Sequence, residues 1–333
     1  MGPASPTVLV TGATGFLGKY VVQELLDHGY RVLAAGRNRQ RLASLQGPGV
    51  TTFAGSLTEL SRQQVSFDGV VHCAALSTTW GSREEFYLHN VLGLQQVVDF
   101  AKRSGAQRLV HISSPSIYAQ RGDRLNIRED EYDPANTLTN YIWSKLRSEE
   151  LLAAVDSQEL ETVVLRPRGL MGAEDPSIVP RFLAINARFG VPLVNEGAHL
   201  IDLTCVQNVA LACRLAMESP QAVGGTYNIT NGEPRPFKEL VDFMFDRLGQ
   251  PVRYRRVSEA VLYGGAAALE GLYRTFNWVA EPPLMRYSVC TVAYAQTLDI
   301  SRAREDLGYC PQVPLDQGIE SSAAAHRGVG PSF

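Results

Sequence analysis

The chain has little of what marks export, metal binding or passage through a membrane. Its five cysteines, Cys73, Cys205, Cys213, Cys290 and Cys310, are scattered among 333 residues and never spaced as C-x-x-C. No disulfide framework or zinc site is expected from that spacing, and a reducing, cytoplasmic setting fits it. No run reaches the roughly 18 apolar residues needed to cross a bilayer. The nearest approach, Ala260 to Leu272, carries Glu270; it reads as a helix, either simply buried or covering an apolar substrate pocket. Met1 to Pro6 lack the charged and apolar regions of a secretory signal, so no export is expected. Neither charge dominates: 31 Lys and Arg against 34 Asp and Glu give a net charge of -3. That balance leaves no basic footprint for nucleic acid or for an anionic membrane surface. Internal repeats and low-complexity tracts are also missing.

What is present is alternation. Short β-rich runs at Thr7–Val10, Arg31–Ala35, Val50–Ala54, Gly69–His72, Arg108–Ile112 and Thr162–Leu165 alternate with amphipathic stretches at Leu17–His28, Arg83–Ser104 and Leu138–Val155. Such βαβ units demand a parallel sheet, and right-handed crossovers predict an α/β, Rossmann-type doubly wound fold with ligands at the carboxyl ends of its strands. Beyond Pro167 the alternation weakens and Pro and Gly punctuate shorter elements. Residues 1–170 therefore read as a nucleotide-binding domain carrying the catalytic residues. Residues 171–333 read as a smaller substrate-binding lobe, from which Val206–Met217 and Thr226–Ile229 return to the sheet.

The first predicted strand runs into Thr11-Gly12-Ala13-Thr14-Gly15-Phe16-Leu17-Gly18, which opens directly into a helix. Gly12 permits a tight turn, Gly15 lets backbone N–H groups approach a pyrophosphate, and Gly18 lets the helix pack close to the strand. A helix N-terminus then supplies orphan donors and a partial positive charge. After the second strand come Gly36-Arg37-Asn38-Arg39, with no carboxylate for the adenosine ribose. A small residue followed by arginine leaves room for a 2′-phosphate and a charge-assisted contact to it, so NADP is expected ahead of NAD. Solvated surface charge is the plainer reading of Arg37 and Arg39. Ser56 and Leu57 follow the third strand where adenine would lie, and Ala74 and Ala75 follow the fourth, small enough for backbone to pass close to a cofactor.

Tyr141 and Lys145 are four residues apart in a stretch of good helix formers, so both emerge on one face. A close ammonium favours the phenolate and brings a poor base toward the working range. The fifth strand ends in Ser113-Ser114, where a serine hydroxyl can stabilise a developing oxyanion. Ser113, Ser114 and Ser116 all qualify from the residues alone.

Taken together, TGATGFLG (11–18), HCAA (72–75), HNVLG (89–93), ISSPSIY (112–118), YIWSK (141–145) and RPRGLMG (166–172) resemble the extended short-chain dehydrogenase/reductases. DLTCVQNVALA (202–212), TNGEP (230–234) and LDISRAREDLGY (298–309) are most similar to the 3β-hydroxysteroid dehydrogenase group and bacterial 2-alkyl-3-oxoalkanoate reductases. The resemblance implies that Ser114 is the catalytic serine, with Tyr141 and Lys145, and that Asn90 is a structural asparagine near the site. It implies that Pro167, Gly169 and Leu170 flank the nicotinamide, and that Arg83–Ser104 and Leu138–Val155 form a homodimer interface. Two departures stand out: Ser56 replaces a common aspartate, and Cys205 replaces a common aromatic. The implied function is hydride transfer between NADP(H) and a secondary alcohol or ketone of a hydrophobic substrate, a 3β-hydroxysteroid or a β-keto acid. A nucleotide-sugar epimerase with tightly held NAD is the rival reading, with Arg168, Arg181, Arg188 and Arg253 as diphosphate contacts. A non-catalytic dinucleotide sensor is the third.

Overall fold

A computed structural model describes residues 5–276 and 278–327. Met1–Ala4, part of the stretch read for export signals, lie outside the described residues. Seven strands form one parallel sheet: β1 (Thr7–Thr11), β2 (Arg31–Gly36), β3 (Val50–Ala54), β4 (Gly69–His72), β5 (Arg108–Ile112), β6 (Glu161–Pro167) and β7 (Thr226–Ile229). Their spatial order is β7-β6-β5-β4-β1-β2-β3. The order reverses between β1 and β4, where Val8 pairs with Gly69 and Thr11 with His72. A doubly wound sheet opens its ligand crevice at such a switch point.

Both faces of the sheet are covered, because side chains alternate along each strand. Val8 and Val10 point into a core with Val71, Val110 and Val163, closed by α1 (Phe16–Asp27) and by a later helix, Val206–Glu218. Leu9, Val70 and Leu109 point the other way, into a core closed by α2 (Gly93–Arg103). α3 (Asn140–Ala153) packs against the segment Tyr87–Leu92 that leads into α2, and carries Tyr141 near its start.

The continuous helix expected over Arg83–Ser104 is broken by a π-helical segment at Tyr87–Leu92. A π-turn inserts one residue into the helical ladder and is often found at functional sites. Here it delivers Asn90 to the interior.

Two elements cross the 170 boundary. β7 pairs in parallel with β6. In the opposite direction, Arg124–Ile127 joins Gln296–Leu298, Leu200–Ile201 and Arg235–Pro236 in a four-stranded sheet of the later region. The Ala260–Leu272 run falls within α4 (Glu259–Thr275), which is not a buried helix: only Ala266 and Glu270 on it are buried. Glu270 faces inward because it accepts from the Arg286 backbone N–H at 2.6 Å and from its guanidinium at 2.9 Å. Among the described residues no helix is long and apolar enough to cross a membrane.

Candidate active site

The loop between β1 and α1 is shaped by contacts no side chain tolerates. Gly12 has φ +67°, and a Cβ there would lie 2.8 Å from the Ala74 backbone nitrogen. A Cβ on Gly18 would lie 2.1 Å from the Gly12 carbonyl oxygen. The helix therefore seats directly on the turn. Gly15, its N-cap, offers no side-chain acceptor, and no acidic residue stands in the first turn. The orphan N–H groups of Phe16, Leu17 and Gly18 and the helix dipole are left for an anion.

Thr14 reaches to the end of β2: its Oγ1 lies 2.8 Å from where a Cβ on Gly36 would stand. Arg37 is exposed and makes no ion pair or side-chain hydrogen bond among the described residues. Arg41, not singled out by the sequence, curls back and donates to the Thr14 carbonyl at 3.3 Å. At the end of β3, Ser56 closes a capping box with Glu59, donating from its backbone N–H at 2.7 Å and from its hydroxyl at 2.8 Å. Leu57 packs toward Gly93 in α2. Ala74 and Ala75 follow β4, and Pro167 ends β6 with Gly169 and Leu170 just beyond. The residues expected to hold a dinucleotide thus lie along the carboxyl edge of one sheet, a crevice fitted to NAD(P).

Ser114, Tyr141 and Lys145 meet beside that crevice. Lys145 is buried, and its Nζ donates to the Ile112 carbonyl at 2.8 Å, fastening α3 to the end of β5. The same nitrogen stands 5.8 Å from the centre of the Tyr141 ring. Burial lowers the Lys145 amine to about 8, with Glu149 and Cys73 working against that shift. The Tyr141 phenol is raised by burial, partly offset by the Ser114 hydroxyl it faces. In the protein alone burial is the largest influence on the phenol, and the Lys145 nitrogen stands close to its ring, as the spacing of the two residues predicts.

The competing serines are distinguished by their surroundings. Ser113 is buried and its hydroxyl donates to Glu149. Ser116 is buried with no partner for its hydroxyl among the described residues. Ser114 is only half-buried, an N-cap whose Oγ accepts from the Ser116 N–H at 3.2 Å.

Several supporting residues escaped the sequence reading. Glu149 lies one turn beyond Lys145 on the same helix face and binds Arg166 at 2.5 Å, an ion pair in the protein interior. The spacing Tyr141, Lys145, Glu149 was a usable signal: steps of four keep one face. Asn90, by contrast, is expected near the site from the resemblance: it accepts from the Leu76 N–H at 2.8 Å and donates to Ser144 at 2.9 Å, joining the π-turn, the loop after β4 and α3. Beneath Lys145 lie two stacked imidazoles, His72 and His111, with centroids 5.5 Å apart. Burial lowers both, His72 to about 3, and the Lys145 charge adds to the effect, so the ammonium has neutral neighbours.

Next to the N-terminus of α3 a cavity of about 590 Å³ is lined by Thr139, Asn140, Leu138, Trp80, Tyr273 and Trp278, among others. Tyr273 stacks edge-on against Trp278 at 4.7 Å. Of the arginines considered for a diphosphate, Arg181 pairs with Glu281 at 3.1 Å, and Arg253 donates to the backbone carbonyls of Asn186 and Ala187. Arg188 lies over the ring of Phe189.

A doubly wound sheet with a glycine turn opening its first helix, and a tyrosine and lysine beside its fifth strand, defines an NAD(P)-dependent oxidoreductase. The sequence pattern of the NAD dependent epimerase/dehydratase family matches residues 8–230, and the chain belongs to that family, the extended short-chain dehydrogenase/reductases acting on CH–OH groups. It is 35% identical to uncharacterized protein YbjS of Escherichia coli (strain K12), over 97% of this chain and 98% of that one. It is 33% identical to 2-alkyl-3-oxoalkanoate reductase of Stenotrophomonas maltophilia (strain K279a), over 96% of this chain and 98% of that one. Among solved structures, MoeE5 in complex with UDP-glucuronic acid and NAD superposes with a TM-score of 0.73 at 25% identity, covering 96% of this chain and 98% of that chain.

Proposed function

We propose that the protein is an NADP-dependent reductase that transfers hydride to the ketone carbon of a hydrophobic substrate, and the reverse. The observation that carries this reading is the convergence of Ser114, Tyr141 and Lys145 beside the dinucleotide crevice. Bound NADPH supplies the hydride. Tyr141 delivers the proton to the carbonyl oxygen, Ser114 donates a hydrogen bond to the developing oxyanion, and Lys145 holds positive charge beside the phenol. Charge on the ketone oxygen develops in a half-buried site, where a fixed donor is worth most.

Arg37, exposed and without a partner among the described residues, together with the Gly36–Thr14 contact, supports a 2′-phosphate site. Leu138, Trp80, Tyr273 and Trp278 support an apolar substrate. The occupied side chains of Arg181 and Arg253 weigh against a nucleotide diphosphate there. An isologous dimer through Tyr87 and Leu88, which are 42% and 50% exposed beside α3, is the assembly we favour, and sedimentation at low concentration tests it.

The test is a panel of steroids, β-keto acids, aldehydes and UDP-sugars assayed with NADPH and NADH in parallel. Reduction of a ketone with NADPH preferred is expected, with the preference reduced at least about tenfold in Arg37→Ala, as loss of a charge-assisted phosphate contact requires. Turnover of a UDP-sugar without added cofactor would sink the proposal.

A further inference from the structure

Three arginines are buried among the described residues: Arg108, Arg166 and Arg168. Two have a carboxylate. Arg108 pairs with Glu161 at 2.6 Å and Arg166 with Glu149 at 2.5 Å. Arg168, with 8% of its surface exposed, forms no ion pair among the described residues. Its Nη1 donates to Gln296, its Nε is buried without an acceptor, and no hydrogen bond from Nη2 is made to the described residues. A guanidinium cannot shed its charge at physiological pH, so burying it without an anion is unfavourable. Asp202 acts on Arg168 through its charge but makes no ion pair with it among the described residues. Its Oδ2 accepts from the Leu298 N–H at 2.7 Å, and burial raises its carboxyl to about 6.

Arg168 lies at the strand end next to Ser114. It follows Pro167 at the carboxyl end of β6, the strand paired with β5, and the Ser113 N–H donates to Leu165 at 2.8 Å. Ser114 and Arg168 therefore leave the same edge of adjacent strands. Tyr287 packs against the cluster of Ile117 and Ile142, which flank Ser116 and Tyr141 in the chain. The backbone of Arg168 is pinned: its N–H donates to the Ile229 carbonyl at 3.0 Å, and its carbonyl accepts from Thr204.

We infer that Arg168 binds the carboxylate of a 3-oxo or 3-hydroxy acid and so selects acids over neutral ketones. The inference rests on the hydride-transfer reading above. In a 3-oxo acid the carboxylate is one carbon removed from the ketone, so a ketone seated at Tyr141 and Ser114 presents its carboxylate to a neighbouring strand end. The planar fork of Arg168, with Nε and Nη2 free of described acceptors, matches two carboxylate oxygens.

The experiment compares a 2-alkyl-3-oxo acid with its methyl ester, using wild type, Arg168→Gln and Arg168→Lys with NADPH. Wild type is expected to favour the acid by at least about tenfold in kcat/KM, the scale of a hydrogen-bonded charge pair. Arg168→Gln should lower kcat/KM for the acid by about 10- to 100-fold, chiefly through KM, and leave the ester within about twofold. Arg168→Lys should fall between, and NADPH binding by fluorescence should be unchanged in both. Equal loss on acid and ester, or no loss on the acid, overturns the inference while hydride transfer stands. Should the variants not fold, competitive inhibition of wild type decides: a saturated 3-hydroxy acid must bind at least about tenfold tighter than its amide, and equal binding overturns the inference. If wild type reduces neither acid, ester nor any ketone, the hydride-transfer reading falls, and this inference with it.

Discussion

The ammonium of Lys145 is held by the main-chain carbonyl of Ile112 at 2.8 Å. That bond ties the helix bearing Tyr141 to the strand that leads to Ser114, so a lysine-to-backbone hydrogen bond, and not the two side chains alone, helps set the distance between the phenol and the serine. It also keeps a cation in the interior, with Glu149 opposing the effect of burial.

The first prediction concerns pH. The Lys145 amine is lowered to about 8 in the folded protein from 10.5, so its positive charge in the site is lost as pH rises through about 8. kcat/KM should fall above that pH. Glu149→Gln removes an influence that raises the amine, and should move the falling limb to lower pH. Between pH 8 and 10.5 the unfolded chain binds the extra proton, so Lys145 makes stability rise with pH across that window. A pH–rate profile whose alkaline limb is the same in wild type and Glu149→Gln would contradict the assignment.

A second prediction follows from the Arg166–Glu149 pair, whose side chains are only 2% and 11% exposed. Removing the carboxylate alone in Glu149→Gln strands a buried guanidinium and should cost about 3–5 kcal/mol. Replacing both partners with apolar residues, Glu149→Leu with Arg166→Met, should cost less than the single change, because no charge is left unpaired. Urea unfolding midpoints check both, and a single-variant loss under about 1 kcal/mol would show the pair to be solvated after all.

For chemistry, Tyr141→Phe should retain NADPH binding and lose about 10²- to 10⁴-fold in kcat, the usual contribution of a positioned acid–base group. Single-turnover rates separate this from slow release. Retention of wild-type kcat would remove Tyr141 from the reaction.

Glycines supply the fourth prediction. A Cβ on Gly18 would sit 2.1 Å from the Gly12 carbonyl oxygen, a backbone atom that cannot swing aside. Gly18→Ala should therefore lower stability by about 1–3 kcal/mol and weaken dinucleotide binding. A Cβ on Gly265, within α4, would meet no atom of the described residues within 4 Å. Gly265→Ala should accordingly stabilise by about 0.5–1 kcal/mol through helix propensity. Melting temperatures of the two variants should move in opposite directions.

Much of the fold was legible because its signals are local. A hydrophobic run bounded by turn residues marks a strand wherever it later pairs, and all six expected strands are found, with ends differing by two residues or fewer. The glycine turn and the Tyr141–Lys145 spacing are likewise written in short segments, where helical and turn geometry decide which atoms share a face. The π-turn at Tyr87–Leu92 was hidden, because one extra residue in a helical ladder leaves no composition of its own. The exposure of α4 was hidden too: an apolar run shows what is favourable to bury, whereas the inward turn of Glu270 depends on Arg286, 16 residues away.

By itself, then, the sequence determined the parallel sheet, the dinucleotide loop and the residue types of the reaction, since each depends on contacts a few residues long. Only the tertiary structure decided which serine is left half-exposed, because Ser113 is withdrawn by Glu149 from another element. It alone separated Arg168 from Arg166, two neighbours alike in sequence, by giving Arg166 a buried ion pair and Arg168 none among the described residues. Charge pairing in an interior is a property of where strands and helices meet, and no local pattern contains it.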